Sequence, residues 1–140
     1  MKQKMWIEFA LLLCFGLLVG CGPKETPLTG PEMDAVLAFS EAKTDNLLAG
    51  MKASDYAIFS KDFDAEMLAA IPQSAFVSLK ADRDEKLGLY VSRTVHSVIQ
   101  SGDFYAVIYD AVFEKDPEVA VKVVFRIAEP HQVSGLWFNK

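Results

Sequence analysis

The chain has 140 residues, 51% of them hydrophobic, with 14 basic and 19 acidic side chains and a net charge of −5. That length fits one modest domain, and the acidic balance argues against nucleic acid, whose phosphates demand clustered Lys and Arg. The two cysteines and two histidines have neither Cys-x-x-Cys nor His-x-x-x-His spacing, and no glycine-rich loop leads into a helix, so no metal and no cofactor is expected.

The chain opens with Lys2 and Lys4, then an apolar run from Phe9 to Gly20, then Cys21. Such a run falls within the roughly 7–15 residues of a secretory core. A spanning helix needs about 20, which here would take in Glu8 and Lys4. Leu18-Val19-Gly20-Cys21 resembles the lipobox of a bacterial-type lipoprotein signal peptide. The resemblance implies that residues 1–20 are removed and that Cys21, carrying a diacylglyceryl thioether, becomes the mature N-terminus. Each buried methylene contributes about 0.8 kcal/mol, and two or more chains anchor stably. The expected location is therefore the extracytoplasmic face of a membrane in the cell envelope. Cys14 leaves with the signal, so the mature domain has no disulfide and depends on packing. Gly22–Gly30, with Pro23 and Pro27, reads as a tether of about 3.1 Å per residue. The expected organisation is 1–20 signal peptide, 21–30 lipidated cysteine and tether, and 31–140 one domain.

Helical periodicity runs from Gly30 to about Lys86. Pro31 suits a first helical position, Glu32 and Asp34 favour a helix start, and Met33, Val36, Leu37, Leu47, Leu48 and Met51 share one broad face. Ser54 is expected to cap a second helix, Asp62 a third, and Ser74 to open a fourth. Pro72 discourages helix at Ile71.

Alternation then takes over in four segments, about 87–100, 103–114, 118–128 and 132–139, separated by turn-forming residues. Short connections make neighbours antiparallel. With Ser101-Gly102 as the first loop and a second reversal centred on Asp116-Pro117, one face collects Leu89, Val91, Val95, Ile99, Phe104, Ala106, Ile108, Val112, Val119, Val121, Val123, Phe125 and Ile127. Leu136 and Phe138 join them from the last strand. This face needs cover, and the helices supply it. The fold class is α+β, with N-terminal helices packed on a curved four-stranded antiparallel meander.

Asp55-Tyr56-x-x-Phe59-Ser-x-Asp62-Phe63, Gly102-Asp103-Phe104-Tyr105, Tyr109-x-Ala111-x-Phe113 and Val133-x-Gly135-Leu136 carry a further resemblance. Over residues 31–140 the chain resembles the nuclear-transport-factor-2-like (cystatin-like) superfamily of cone-shaped α+β domains, and within it small lipoprotein families of unknown function. The resemblance implies a fold more than an activity. Some members are isomerases or dehydratases with an Asp or His in the cone; others bind small molecules or proteins.

Two charges interrupt the predicted core face, Arg93 and Asp110, and the expected register sets them opposite one another. They form either a polar ligand site inside the cone or a structural ion pair. An adjacent guanidinium lowers a carboxylate pKa, which makes Asp110 a poor general base. The opposite face carries Tyr90, Tyr105, Tyr109, Phe113 and Trp137, either an interface for a partner or ordinary cross-strand packing. No catalytic residue emerges. The expected role is a membrane-anchored binding module whose partner is an envelope protein, a second copy or a small apolar ligand. An isomerase or dehydratase acting in the cone is the alternative.

Overall fold

The computed structural model describes residues 22–140; the expected signal peptide over 1–20 and the expected lipidation site Cys21 lie outside the described residues. The α+β class holds, but the meander has five strands where four were expected, in the order β1-β2-β3-β4-β5. The added strand, β1 (Glu25–Leu28), comes from the expected tether. It pairs antiparallel with the end of β2 (Tyr90–Ser101), Glu25 opposite Ser101 and Leu28 opposite Val98. Pro27 is tolerated because β1 is an edge strand. Leu28 supplies the reason for docking: it is buried while the other three residues of β1 are exposed. Only Gly22–Lys24 of the described residues precede the sheet.

The long α1 (Gly30–Ala53) starts on Pro31 and Glu32, as expected. It ends at Ser54, which adopts the left-handed conformation (φ 60°) and closes the helix instead of capping the next. Asp55 caps α2 (Tyr56–Phe59) and Asp64, not Asp62, caps α3 (Ala65–Ala70), each accepting a backbone N–H three residues on. Asp62 instead holds Lys43 and Asn46 of α1. Pro72 leads directly into α4 (Gln73–Leu87), ahead of Ser74. Gly50 is required by the sharp return from α1 to α2, since a Cβ there would lie 2.6 Å from the Phe59 Cα.

The remaining strands are β3 (Phe104–Phe113), β4 (Val119–Arg126) and β5 (Val133–Asn139). The inner face of β4 is as expected: Val119, Val121, Val123 and Phe125 are all buried. That of β3 is the reverse of expectation. Val107, Tyr109, Ala111 and Phe113 point into the core, while Phe104 and Ile108 point away with Asp110. Of the two reversals that set the register, the second causes this. The β2–β3 turn is Gly102-Asp103, because Ser101 pairs directly with Phe104. The β3–β4 reversal is centred on Lys115 rather than on Asp116-Pro117, with Ala111 opposite Val119. A reversal centred on one residue inverts the alternation of one strand against the other. Lys115 is fixed there by α4, where its ammonium donates to the carbonyls of Asp84 and Glu85 and its N–H to that of Leu87.

A register shift between Val95 and Ser97 makes the second change. Beyond this bulge Val98 faces inward and Ile99 outward; before it Val95 and Arg93 lie with the inner-face Tyr109 and Ala111. The helices cover the inner face through Val36, Leu47, Leu48, Phe59, Met67 and Phe76, all buried in one continuous core.

Candidate functional site

Helix α1 and the inner sheet face form a seam with two different ends. At one end the apolar stripe of α1 is interrupted by Ser40, Glu41, Thr44 and Asp45, one turn apart in pairs. Arg93 rises from β2 to meet them. Its Nη1 donates to Asp45 Oδ1 (2.5 Å) and its Nη2 to Glu41 Oε2 (3.2 Å) and to the Glu41 carbonyl (3.3 Å). The guanidinium carbon lies 4.9 Å from the centroid of the Tyr109 ring. Tyr109 is fully buried and donates to Glu41 Oε1 (2.8 Å), with the Thr44 hydroxyl 3.1 Å away. Burial, reinforced by Glu41, pushes the Tyr109 phenol up to about 12. Burial opposes the charge of Arg93, but contacts with Tyr90, Asp45 and Glu41 outweigh it and hold the guanidinium above its ordinary value. This end is a closed electrostatic clamp between helix and sheet.

The Arg93–Asp110 juxtaposition is thereby corrected. Arg93 pairs across the strands with Ala111, and Asp110 with Thr94. The two side chains lie on opposite faces, because the bulge moves Arg93 inward while the Lys115-centred reversal keeps Asp110 outward. Asp110 instead meets His96 (3.0 Å) in an exposed pair. The partners missed by sequence reasoning are Glu41 and Asp45. Their signal was the polar i, i+4 spacing inside an otherwise apolar helix face.

The five aromatic residues expected to share one open face also divide. Tyr90, Tyr105, Tyr109 and Phe113 lie on the helix-covered side, with Tyr90 edge-on to Phe113 at 5.8 Å. Trp137 alone is on the outer face, 48% exposed.

The other end of the seam is open. A hollow of about 330 Å³ lies beneath the first half of α1, bordered by Leu28 of β1, Val36 and Phe39 of α1, Gln100, Tyr105 and His131. Phe39 forms its floor, 5.8 Å from Phe125 and 6.2 Å from Tyr105. The His131 ring stacks on Phe39 at 4.0 Å and 14°. His131 reaches this position from a β4–β5 turn in which it has φ 57°. The turn is tied to α1, for Lys43 Nζ donates to the Pro130 carbonyl at 2.9 Å. His131 Nδ1 faces the Arg126 carbonyl (3.1 Å) and Nε2 the Glu129 carboxylate (3.2 Å), so both ring nitrogens meet acceptors. Glu32, Gln100, Tyr105 and His131 set polar groups beside the apolar Leu28, Ala35, Val36 and Phe39. Such an arrangement can grip a small molecule by its apolar body and orient it by a polar end.

A third polar cluster is structural. Asp64, 3% exposed, accepts from Met67 N–H, Arg126 Nε and the Ser134 hydroxyl. Burial opposes its charge, but these donors hold the carboxyl below the ordinary aspartate value. It joins α3 to β4 and β5.

Compared with protein-family models, with curated proteins and with solved structures, the chain matches none.

Proposed function

We propose that the chain is a lipid-anchored, extracytoplasmic binding module with a cone-like, cystatin-like form of the α+β fold. It takes a small, largely apolar ligand, or an apolar side chain of a partner, in the Phe39–Tyr105–His131 hollow. The observation that carries this reading is the hollow itself: aromatic on its floor, polar at its rim, and of a size within the usual range for ligand sites. The register shifts in β2 and between β4 and β5 supply the bends that a cone requires. The Leu-Val-Gly-Cys21 segment supports the anchor and the envelope location. An isomerase or dehydratase would need a free proton-transferring group in the same interior. The engagement of Arg93 with Glu41 and Asp45, and of Tyr109 with Glu41 and Thr44, favours binding instead.

The ligand reading is tested by amide NMR on the labelled chain, titrated with small aromatic acids and amines. Shifts should concentrate around Phe39, Tyr105 and His131 and disappear in Phe39→Ala. A response scattered over the surface, or none, would remove this reading. The anchor is tested separately. Cys21→Ser should move the protein from the membrane to the soluble fraction, and the intact mass of the membrane form should show the lipid.

A further inference from the structure

Neither the helices nor the hollow uses the outer face of the sheet. Pro27, Ile99, Ala106, Val124 and Gly135 form a cross-strand row spanning all five strands without one charge or hydroxyl. An antiparallel sheet facing water ordinarily turns polar residues outward. Here the next row holds Ser97, Ile108, Lys122 and Trp137, and a mainly apolar groove of about 200 Å³ runs beside Ile99, Phe104, Ile108 and Val124, with Glu25, Ser101 and Lys122 at its border. Trp137 lies flat on Gly135, where any Cβ would strike the indole, and the Lys122 ammonium is 5.3 Å from the ring centroid.

The position of Pro23, close to the Cys21 of the anchor reading, indicates what covers this face. Pro23 is itself one wall of the groove. Cys21 precedes it by two residues, so its α-carbon is within about 7 Å of that of Pro23. Because β1 begins at Glu25, only Gly22–Lys24 separate Cys21 from the sheet, so a lipid there keeps the edge of the sheet within about 14 Å of its point of attachment.

We infer that the outer sheet face docks on the surface of the phospholipid bilayer that holds the acyl chains of Cys21. Phe104, Ile108 and Trp137 meet the headgroup–acyl boundary, where Trp is favoured. Lys122 extends toward the phosphates along the indole. The net charge is −5, and Lys122 and Arg126, which lies over the Phe104 ring, are too few to hold anionic lipid alone, so docking needs the anchor. The inference rests on the lipid-anchor reading, and the experiment separates the two.

The full chain with Trp6→Phe has Trp137 as its only tryptophan. It is purified from membranes, its mass is measured, and it is placed in phosphatidylcholine vesicles with plain or brominated acyl chains. A mass without lipid would refute the anchor alone. Docking is then tested on the same chain with Cys14→Ser and a maleimide-linked phosphatidylethanolamine on Cys21. Brominated chains should quench Trp137 by about two-fold or more, as for an indole at the interface. Ile108→Glu, or Phe104→Glu, should abolish quenching while the protein still floats with the vesicles and keeps its far-ultraviolet spectrum. Unquenched Trp137 in anchored, folded protein would overturn the inference. So would quenching that survives both substitutions, or cross-linking of two copies through their outer faces in place of quenching.

Discussion

The two ends of the α1–sheet seam use similar chemistry to opposite effect. Around Arg93, most donors and acceptors meet one another: Glu41 and Asp45 neutralise the guanidinium and the Tyr109 hydroxyl ends on Glu41, while the buried Arg93 Nε and Ser40 Oγ have no partner among the described residues. Around His131, the imidazole stacks on the Phe39 ring and Glu32, Gln100 and Tyr105 line the hollow. The more highly charged end is therefore structural, and the less charged end is the candidate site. Polarity inside a fold marks a site only where it remains available to something else.

The largest expected effect breaks the closed end. Arg93→Met removes a cation whose side chain is 8% exposed, and leaves the buried Tyr109 ring without its partner. Complete burial of the pair would imply a loss of about 3–5 kcal/mol. Glu41 and Asp45 are 44% and 66% exposed and can turn to water, so about 2–3 kcal/mol is expected in urea unfolding. A loss under about 1 kcal/mol would class the cluster with surface ion pairs.

The next effect is a pH dependence located at the same end. The Tyr109 phenol titrates near 12 in the folded protein against 10.0 in an ordinary setting. A raised folded value means that stability is complete below pH 10 and is lost as pH rises through about 12, because the unfolded chain releases the proton first. The loss attributable to this group is about 2–3 kcal/mol. It is measured as the difference between the wild-type and Tyr109→Phe stability curves, which removes the contribution of the other tyrosines and lysines. Parallel curves between pH 9 and 12 would place the Tyr109 hydroxyl in water.

The sequence exposed much of this fold but not the part that decides the site. Composition and periodicity sufficed for helices before strands, for the inner face of β4, and for the start of α1 at Pro31. They failed on β3 because alternation assigns two faces without saying which is inner. Both faces of β3 are apolar: Ala106 and Ile108 on one, Val107, Tyr109 and Ala111 on the other. The decision passed to Lys115, whose grip on the end of α4 sets the reversal, and to the bulge before Ser97. Neither has a local pattern that alternation can reveal. The edge strand β1 was obscured because two prolines in a short polar segment read as a spacer, and its one burying residue, Leu28, carries little signal alone. The hollow was invisible for a related reason. Phe39, Tyr105 and His131 come from three separate elements and share no motif.

The smallest expected effect compares the ends most directly, by removing one hydroxyl from each. Tyr109→Phe deletes a buried donor to Glu41 and strands the Thr44 hydroxyl, so it should cost about 1 kcal/mol at neutral pH. It should leave ligand-induced shifts at Phe39 and His131 unchanged. Tyr105→Phe removes a hydroxyl at the edge of the hollow and keeps the ring against Phe39. It should change stability by less than about 0.5 kcal/mol, as for a partly exposed position, and should weaken binding. Urea unfolding and NMR titration of the two variants therefore form a crossed pair, one losing stability and the other affinity. Equal losses of stability would mean that Tyr105 is as enclosed as Tyr109. Undiminished binding by Tyr105→Phe would leave Phe39 and His131 as the contacts and remove the tyrosine from the site.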